Sequence, residues 1–595
     1  MKLRPPNRRH LVEAALGQRP VDLLIHNVRM VNVFSGEIYP AAVAVYDGFI
    51  AHVEPADPDD DGPLPAINAH ATLDGEGLHL LPGLIDSHVH IESSMMTPAN
   101  FARTVLPHGT TTAITDPHEI ANVLGMEGID YMLKAGADLP MRQFLLIPSC
   151  VPSVPGLETA GADFTAREIG EMLDWERVLG VAEVMDFPGV IHGNPRMVEI
   201  LKVADDRGVF IQGHAPELSG RALSAYLCSG PMSDHEVRTE AEAKAKLRAG
   251  MILDARESSI SRNLQALIPA VTQLSAPPNF TLCTDDREPG DLMEKGSVNH
   301  VVRRAIEEGL DPVIAIRHAS LRPAQAVGIQ NLGAIAPGYA ADFLLAPDIR
   351  RIAPRHVFVA GQQVVRDGEC VNFPADASFA IEGKNTVKIP SLHPDTFRIT
   401  APKNEGTVLT RIIRYDNTDS LGTTFTLEAL PIKDGDLDLA ERADLSYVGV
   451  FHRHGQNDNY ALGVLGHFGL THGAIASTVA HDCHNLTVVA RNPRDAHIAA
   501  SALIECGGGL VCVADGEILE LLPLPVAGLM SPLSPGELAA QTRRMKTRLR
   551  EMGIPGDDPL LRIATLTLAV IPEARITDRG LVGVSEQRIV PLFPD

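Results

Sequence analysis

The stretch from Gly83 to Gly125, GLIDSHVHIESSMMTPANFARTVLPHGTTTAITDPHEIANVLG, decides how the rest of the chain is read. It opens with a short apolar run closing on His88 and His90, two imidazoles separated by one residue. On a β-strand, residues i and i+2 face the same side, so both rings can reach one ion. A threonine-rich run, Thr110 to Thr115, follows and ends in Asp116, Pro117, His118 and Glu119. Two strand ends thus deliver metal-type or acid/base side chains within one supersecondary unit.

Working outward, the same rhythm continues to Asp286. Eight short apolar runs alternate with helix-like segments: LIDSHVHI, TTTAITDP, FLLIPSCVP, GVAEVMDF, VFIQGHAP, SDHE, GMILDARES and FTLCTDD. Their number and spacing match a (β/α)8 barrel, whose functional groups collect at the C-terminal strand ends. SDHE is weak as a strand and is accepted on count and spacing alone. Glu240 to Arg248 reads as an amphipathic helix between the sixth and seventh runs. Upstream, a polar, helical leader precedes short antiparallel strands over Val21 to Glu54, with turns at Ser35-Gly36 and Asp47-Gly48. Asp57 to Pro65 reads as a loop, and Thr72 to Leu81 returns to strand texture. Downstream, residues 331–370 repeat that texture, so both flanks of the barrel are expected to pair in one β domain. The expected fold is α/β: a (β/α)8 barrel with a composite β-sandwich domain and a C-terminal α/β domain. Its boundaries fall at 1–82 (leader and first part of the β domain), 83–330 (barrel), 331–385 (second part) and 386–595. In the last domain SYVGVF and LTVVA read as strands, and Arg494 to Cys506 and Pro535 to Met552 as helices.

Composition excludes several classes. A chain of 595 residues exceeds one core and implies two or three domains. A formal charge of −24 opposes nucleic-acid binding and anionic membranes. Seven cysteines without a CxxC pair give neither a disulfide framework nor a zinc ribbon and fit a reducing compartment. The basic N-terminus lacks the apolar core of a signal peptide, so a soluble, cytoplasmic protein is expected.

The polar ends of the runs supply His88, His90, Glu183, His214, His235 and Asp285. Four imidazoles and two carboxylates, without thiolate, suit manganese, iron or zinc. Two divalent ions can share such a set if Glu183 bridges them. A metal-activated hydroxide is a nucleophile at neutral pH, so hydrolysis is the expected reaction class. Asp285 is the candidate proton shuttle, and His235 the group that polarises the electrophile.

These residues carry a resemblance. GLIDSHVHIESSM, VAE, QGHAP, SDHE and CTDD are similar to the amidohydrolase superfamily. TPANFARTVLPHGTTTAITDPHEIANVLG and IASTVAHDCHNLTVVA resemble stretches of its bacterial adenine deaminase branch, and the likeness runs nearly the full length. It implies hydrolysis of adenine to hypoxanthine and ammonia at a binuclear centre, usually of manganese or iron, within purine salvage and in a homo-oligomer. His88, His90, Glu183, His214, His235 and Asp285 match the family's ligand pattern. Glu183 stands where many relatives carry a carbamylated lysine, as in the adenine deaminase branch. One departure is visible: Ser258 follows Glu257 where a glycine is expected. Another nucleobase deaminase or cyclic amidohydrolase shares the metal set, and a noncatalytic barrel scaffold is the alternative from a different class.

Further candidates touch the small-molecule purine substrate. Asp116, His118 and Glu119 lie where the second run ends and either contact the ring or begin a helix, with Asp116 as cap and Pro117 at N1. Glu92 shares the His88/His90 face if that strand continues. His481 and His484, in AHDCHN, read either as a surface turn or as part of a lid over the barrel. Gly507 to Gly509 read as a tight turn and Arg543 to Arg550 as a solvated helix face.

Overall fold

The polar leader forms the helix Arg8–Ala15, and the first strands follow it. The structure, a computed structural model, describes residues 1–55, 67–375, 377–417, 421–556 and 558–594, so the loop expected at Asp57 to Pro65 lies outside the described residues. Strands β1 (Val21–Val31), β2 (Ile38–Tyr46) and β3 (Phe49–Pro55) form an antiparallel meander, while β4 (Ala69–Asp74) and β5 (His79–Pro82) lie parallel to β1.

Gly83 then carries the chain into the barrel strands. A Cβ there would lie 2.2 Å from Thr111 Oγ1, so the passage needs a glycine. All eight expected runs are strands: β6 (Leu84–Val89), β7 (Thr110–Thr115), β8 (Arg142–Ile147), β9 (Val178–Val184), β10 (Phe210–Gly213), β11 (Ser233–Asp234), β12 (Ile252–Arg256) and β13 (Phe280–Cys283). Every pairing among them is parallel. β6 and β7 are buried along their whole length, as parallel strands covered on both faces are. Two of the four threonines of β7, Thr111 and Thr115, donate their hydroxyls to the Leu84 and Phe144 carbonyls at 3.4 and 3.2 Å, while the Thr110 and Thr112 hydroxyls are buried without a partner among the described residues.

The eight strands do not close into one continuous ladder. They form a sheet of five, β10-β9-β8-β7-β6, and a sheet of three, β11-β12-β13. The sheets meet at Met232 N–H on Ile211 O (2.8 Å) and at Asp285 N–H on His88 O (2.9 Å). The first break has a local cause. The SDHE run yields a two-residue strand whose pairing is taken up by β12.

After the barrel, β14 (Phe343–Ala346), β15 (His356–Val359), β16 (Gln362–Arg366) and β17 (Glu369–Cys370) return to the N-terminal strands. β14 pairs antiparallel with β5, Leu344 opposite Leu81, so the flanks join as expected. Hydrogen bonding connects the strands as one nine-stranded sheet, β17-β16-β15-β14-β5-β1-β2-β3 with β4 beside β1. The β5–β14 ladder hydrogen-bonds the halves edge to edge, and Val43, Val45 and Ile50 share one buried apolar cluster with Phe343, Leu345 and Phe358.

The C-terminal region holds a second nine-stranded mixed sheet, which includes Leu445–Phe451 and Leu486–Ala490, and a separate three-stranded one. Helix Pro493–Cys506 ends at Gly507, and Gly507 to Gly509 all have positive φ as the chain turns into the next strand. Helix Pro535–Glu551 packs on the barrel helix Pro289–Lys295. Its basic run is therefore only partly solvated: Met545 and Leu549 are buried, and Lys546 pairs with Glu288 and Asp558. One apolar core runs without interruption from Val89 and Met95 to Leu524 and Met530, joining the barrel to the C-terminal sheet. All seven cysteines are free thiols. No helix among the described residues is long and apolar enough to cross a membrane.

Candidate metal centre

The strand ends bring all six expected donors together, five of them buried and His214 partly buried. His88 Nε2 and His90 Nε2 each lie 3.2 Å from Glu183 Oε1, and 3.6 and 3.3 Å from Asp285 Oδ1. His214 Nδ1 reaches Glu183 Oε2 at 2.8 Å and His235 Nε2 the same oxygen at 3.5 Å. Glu183 thus stands between two pairs of imidazoles, each pair using a different carboxylate oxygen.

The donor set fits divalent ions. His90 Nδ1 is 2.9 Å from the Asp116 carbonyl, which accepts only from N–H, so the proton sits on Nδ1 and the Nε2 lone pair faces the cluster. Both ring nitrogens of His88, and Nδ1 of His235, are buried without a hydrogen-bond partner among the described residues. Burial opposes ionisation of Glu183, but the surrounding imidazoles, His235 foremost, prevail and hold its carboxyl well below the usual range. Ionised oxygen donors around a ligand-ready imidazole are what a hard-to-borderline cation needs.

Sequence reasoning missed four side chains here, Arg256, Glu236, Asp286 and Ser93. Arg256, at the end of β12, is buried and paired through Nη1 with Asp285 Oδ2 and through Nη2 with Glu236 at 2.8 Å. Although burial favours the neutral acid, Arg256 and the imidazoles keep the Asp285 carboxyl well below its normal range. Asp285 also adopts φ +58°, a left-handed conformation that costs a non-glycine residue about 1 kcal/mol. Asp286 follows and accepts the Ser93 hydroxyl at 2.5 Å. The signal available for Arg256 was its place at a barrel strand's C-terminal end.

The second group of candidates divides. Asp116 accepts from both the backbone N–H and the ring Nδ1 of His118, at 3.1 and 3.0 Å, and helix His118–Leu124 begins after Pro117. Capping and proximity to the donors therefore coexist, with the helix one residue later than expected. Glu92 is a correction: β6 stops at Val89, Ile91 turns with helical dihedrals, and Glu92 lies in a 3-10 turn where it accepts the Ile120 N–H at 3.3 Å. It is off the face of His88 and His90. His481 and His484 are buried, so the surface-turn reading fails. His481 Nδ1 lies 2.8 Å from Glu119 Oε1, and His484 Nε2 bonds Glu119 Oε2. Beside them a small cleft of about 50 Å³ is lined by Ser93, Met95, Ile260, Asp286, His481 and Leu561.

Residues 79–364 match the amidohydrolase family, and residues 420–588 match the adenine deaminase C-terminal domain. Adenine deaminase 2 of Carboxydothermus hydrogenoformans is 41% identical over 585 residues, 98% of this chain and 99% of its own length. Adenine deaminase of Desulfatibacillum aliphaticivorans is 40% identical over 98% of this chain and 99% of its own length. Solved structures are more distant. An adenosine deaminase from Xanthomonas campestris with bound zinc matches at TM-score 0.43 and 16% identity, over 60% of this chain and 95% of that one, too far to inform the site. With relatives alike from end to end, this chain belongs to the adenine deaminase family of amidohydrolases.

Proposed function

We propose that the protein hydrolyses adenine to hypoxanthine and ammonia. The observation that carries this reading is the full-length likeness to adenine deaminases, across the barrel and the C-terminal domain alike. The buried cluster of His88, His90, Glu183, His214, His235 and Asp285 supports it. The (β/α)8 barrel architecture and the boundaries at 82, 330 and 385 belong to the same reading.

These six side chains would hold two divalent ions, manganese or iron before zinc, with Glu183 between them. Bound there, such ions supply Lewis acidity toward water and toward the electrophilic ring carbon. Asp285 takes the proton of the attacking water and returns it to the departing amino nitrogen, which leaves as ammonia. Arg256 keeps Asp285 ionised, the form a base must have at the outset. His235 polarises the electrophilic carbon, and Asp116, His118 and Glu119 are the barrel's candidates for contact with the ring. The protein acts in the cytoplasm, in purine salvage, as a homo-oligomer.

The test is ammonia release from adenine, adenosine, guanine and cytosine by protein loaded with manganese or iron. Adenine is the expected substrate; turnover of another base with adenine untouched would move the assignment to a different nucleobase deaminase. An Asp285→Asn variant is expected to retain metal while kcat falls by about 10²–10⁴-fold, as loss of a general base does.

A further inference from the structure

We propose that His481 is the C-terminal domain's direct contact with the purine, donating a hydrogen bond from Nε2 to a ring nitrogen, while Glu119 and His484 position it. This rests on the adenine reading and adds to it a specificity-determining residue outside the barrel.

Three buried groups from two domains meet here, and their tautomers say what they do. Glu119, His481 and His484 bring their ligand atoms within 4.8 Å of one another, an arrangement that invites comparison with a metal site. His484 argues against one. The Ala480 N–H donates to its Nδ1 at 3.2 Å, so Nδ1 carries the lone pair and Nε2 the proton. The Nε2 that faces Glu119 Oε2 is therefore a donor and has no lone pair for an ion. His484 holds one carboxylate oxygen, from a left-handed backbone at φ +52°.

The other oxygen, Oε1, lies 2.8 Å from His481 Nδ1. Glu119 thus lies between the two rings, hydrogen-bonded to His484 through Oε2 and at ion-pair distance from His481 through Oε1. The backbone of His481 is fixed as well: its N–H donates to Ala564 O at 2.8 Å, and its carbonyl accepts the Thr567 hydroxyl at 2.7 Å. What remains is Nε2, on the ring edge opposite Glu119, with no hydrogen-bond partner among the described residues. His481 lines the cleft shared with Ser93 and Asp286, next to Asp285. Burial pulls the imidazole's pKa down, but Glu119, with Asp286 and Asp482 also near, raises it to about 9. The ring facing the cleft is then a cation at neutral pH, with an N–H to offer. Adenine presents several unprotonated ring nitrogens, and attack at C6 increases electron density on them, so a charged donor binds the ring and gains strength as the reaction proceeds.

The experiment compares wild type with His481→Ala and His481→Gln, using kcat/KM for adenine and inhibition constants for 1-deaza-, 3-deaza- and 7-deazaadenine, each of which lacks one ring acceptor. Metal content and the unfolding midpoint confirm that each variant is folded and loaded. The expected loss in kcat/KM is roughly 10- to 100-fold for the alanine variant, partly recovered by glutamine, which keeps a donor. Two analogues should bind the alanine variant correspondingly more weakly, and the one lacking the contacted nitrogen should bind both proteins alike. Equal weakening of all three analogues, or of none, overturns the contact, because a structural role does not choose among ring positions. Wild-type protein that leaves adenine unchanged removes the adenine reading together with this one; active wild type without analogue selectivity removes this one alone.

Discussion

At the scale of single residues, the centre is governed by how each charge is held. Asp285 has Arg256 on one oxygen and imidazoles on the other, so the arginine sets both its orientation and its ionisation. Arg256→Lys keeps the charge but gives up a guanidinium that serves Asp285 and Glu236 at once. We expect kcat to fall by roughly 10–100-fold with metal content unchanged, read by steady-state kinetics beside metal analysis. A second buried acid, Glu158, affects stability instead. It accepts from the Ser153 hydroxyl and the Val154 N–H, at 2.6 and 2.9 Å, and burial, with Asp482 near, pushes it from 4.5 to about 7. Because the folded pKa is raised, the unfolded chain releases this proton first, and folding stability falls as pH rises from about 4.5 to 7. Glu158→Gln keeps the acceptor oxygen and removes the titration. Its stability should exceed wild type by about 3 kcal/mol near pH 8 and match it below about pH 4.5, as measured by urea unfolding midpoints.

At the scale of elements, one buried cation holds two of the donor-bearing loops. Lys246, on helix Glu240–Arg248, is fully buried and reaches Asp234 at 2.6 Å, Glu242 at 2.7 Å and the Ala215 carbonyl at 2.6 Å. Asp234 in turn accepts the Ala215 N–H at 2.9 Å, tying the loop after β10 to the one after β11. Lys246→Met leaves Asp234 charged and unpaired, and should cost about 3–5 kcal/mol, seen as a lower thermal midpoint and weaker metal retention. The elements themselves were largely legible: the eight runs became eight strands, and Glu240 to Arg248 a helix with those bounds. That holds because strand period and helix period are local properties. His88 and His90 followed from the period-2 rule for the same reason. Glu92 did not, since the end of β6 at Val89 depends on a turn that the alternation does not announce. Arg256 was missed because a lone arginine in a strand reads as solvent-facing until its partners, Asp285 and Glu236, are placed. The contact of Glu119 with His484 spans 365 residues and rests on domain packing, which periodicity does not encode.

At the scale of the whole molecule, two domains share one core and one site, so the centre should report on the fold. Chelation is expected to abolish ammonia release and lower the unfolding midpoint, with both restored by manganese or iron, because an ion that binds only the folded state stabilises it by mass action. Assay and calorimetry on the same sample check this. The sheet that joins the barrel's flanks has a further consequence for how the protein is made. β5 finds its partner β14 only after about 260 further residues have been synthesised. At translation rates of about 5–20 residues per second, the emerging β1–β5 unit waits on the order of 13–50 s with an unpaired edge. Throughout that interval the nascent chain presents a strand that any other extended segment can join, so the ribosome-bound stage, rather than the finished molecule, is where this protein is most exposed to mispairing and most dependent on chaperones.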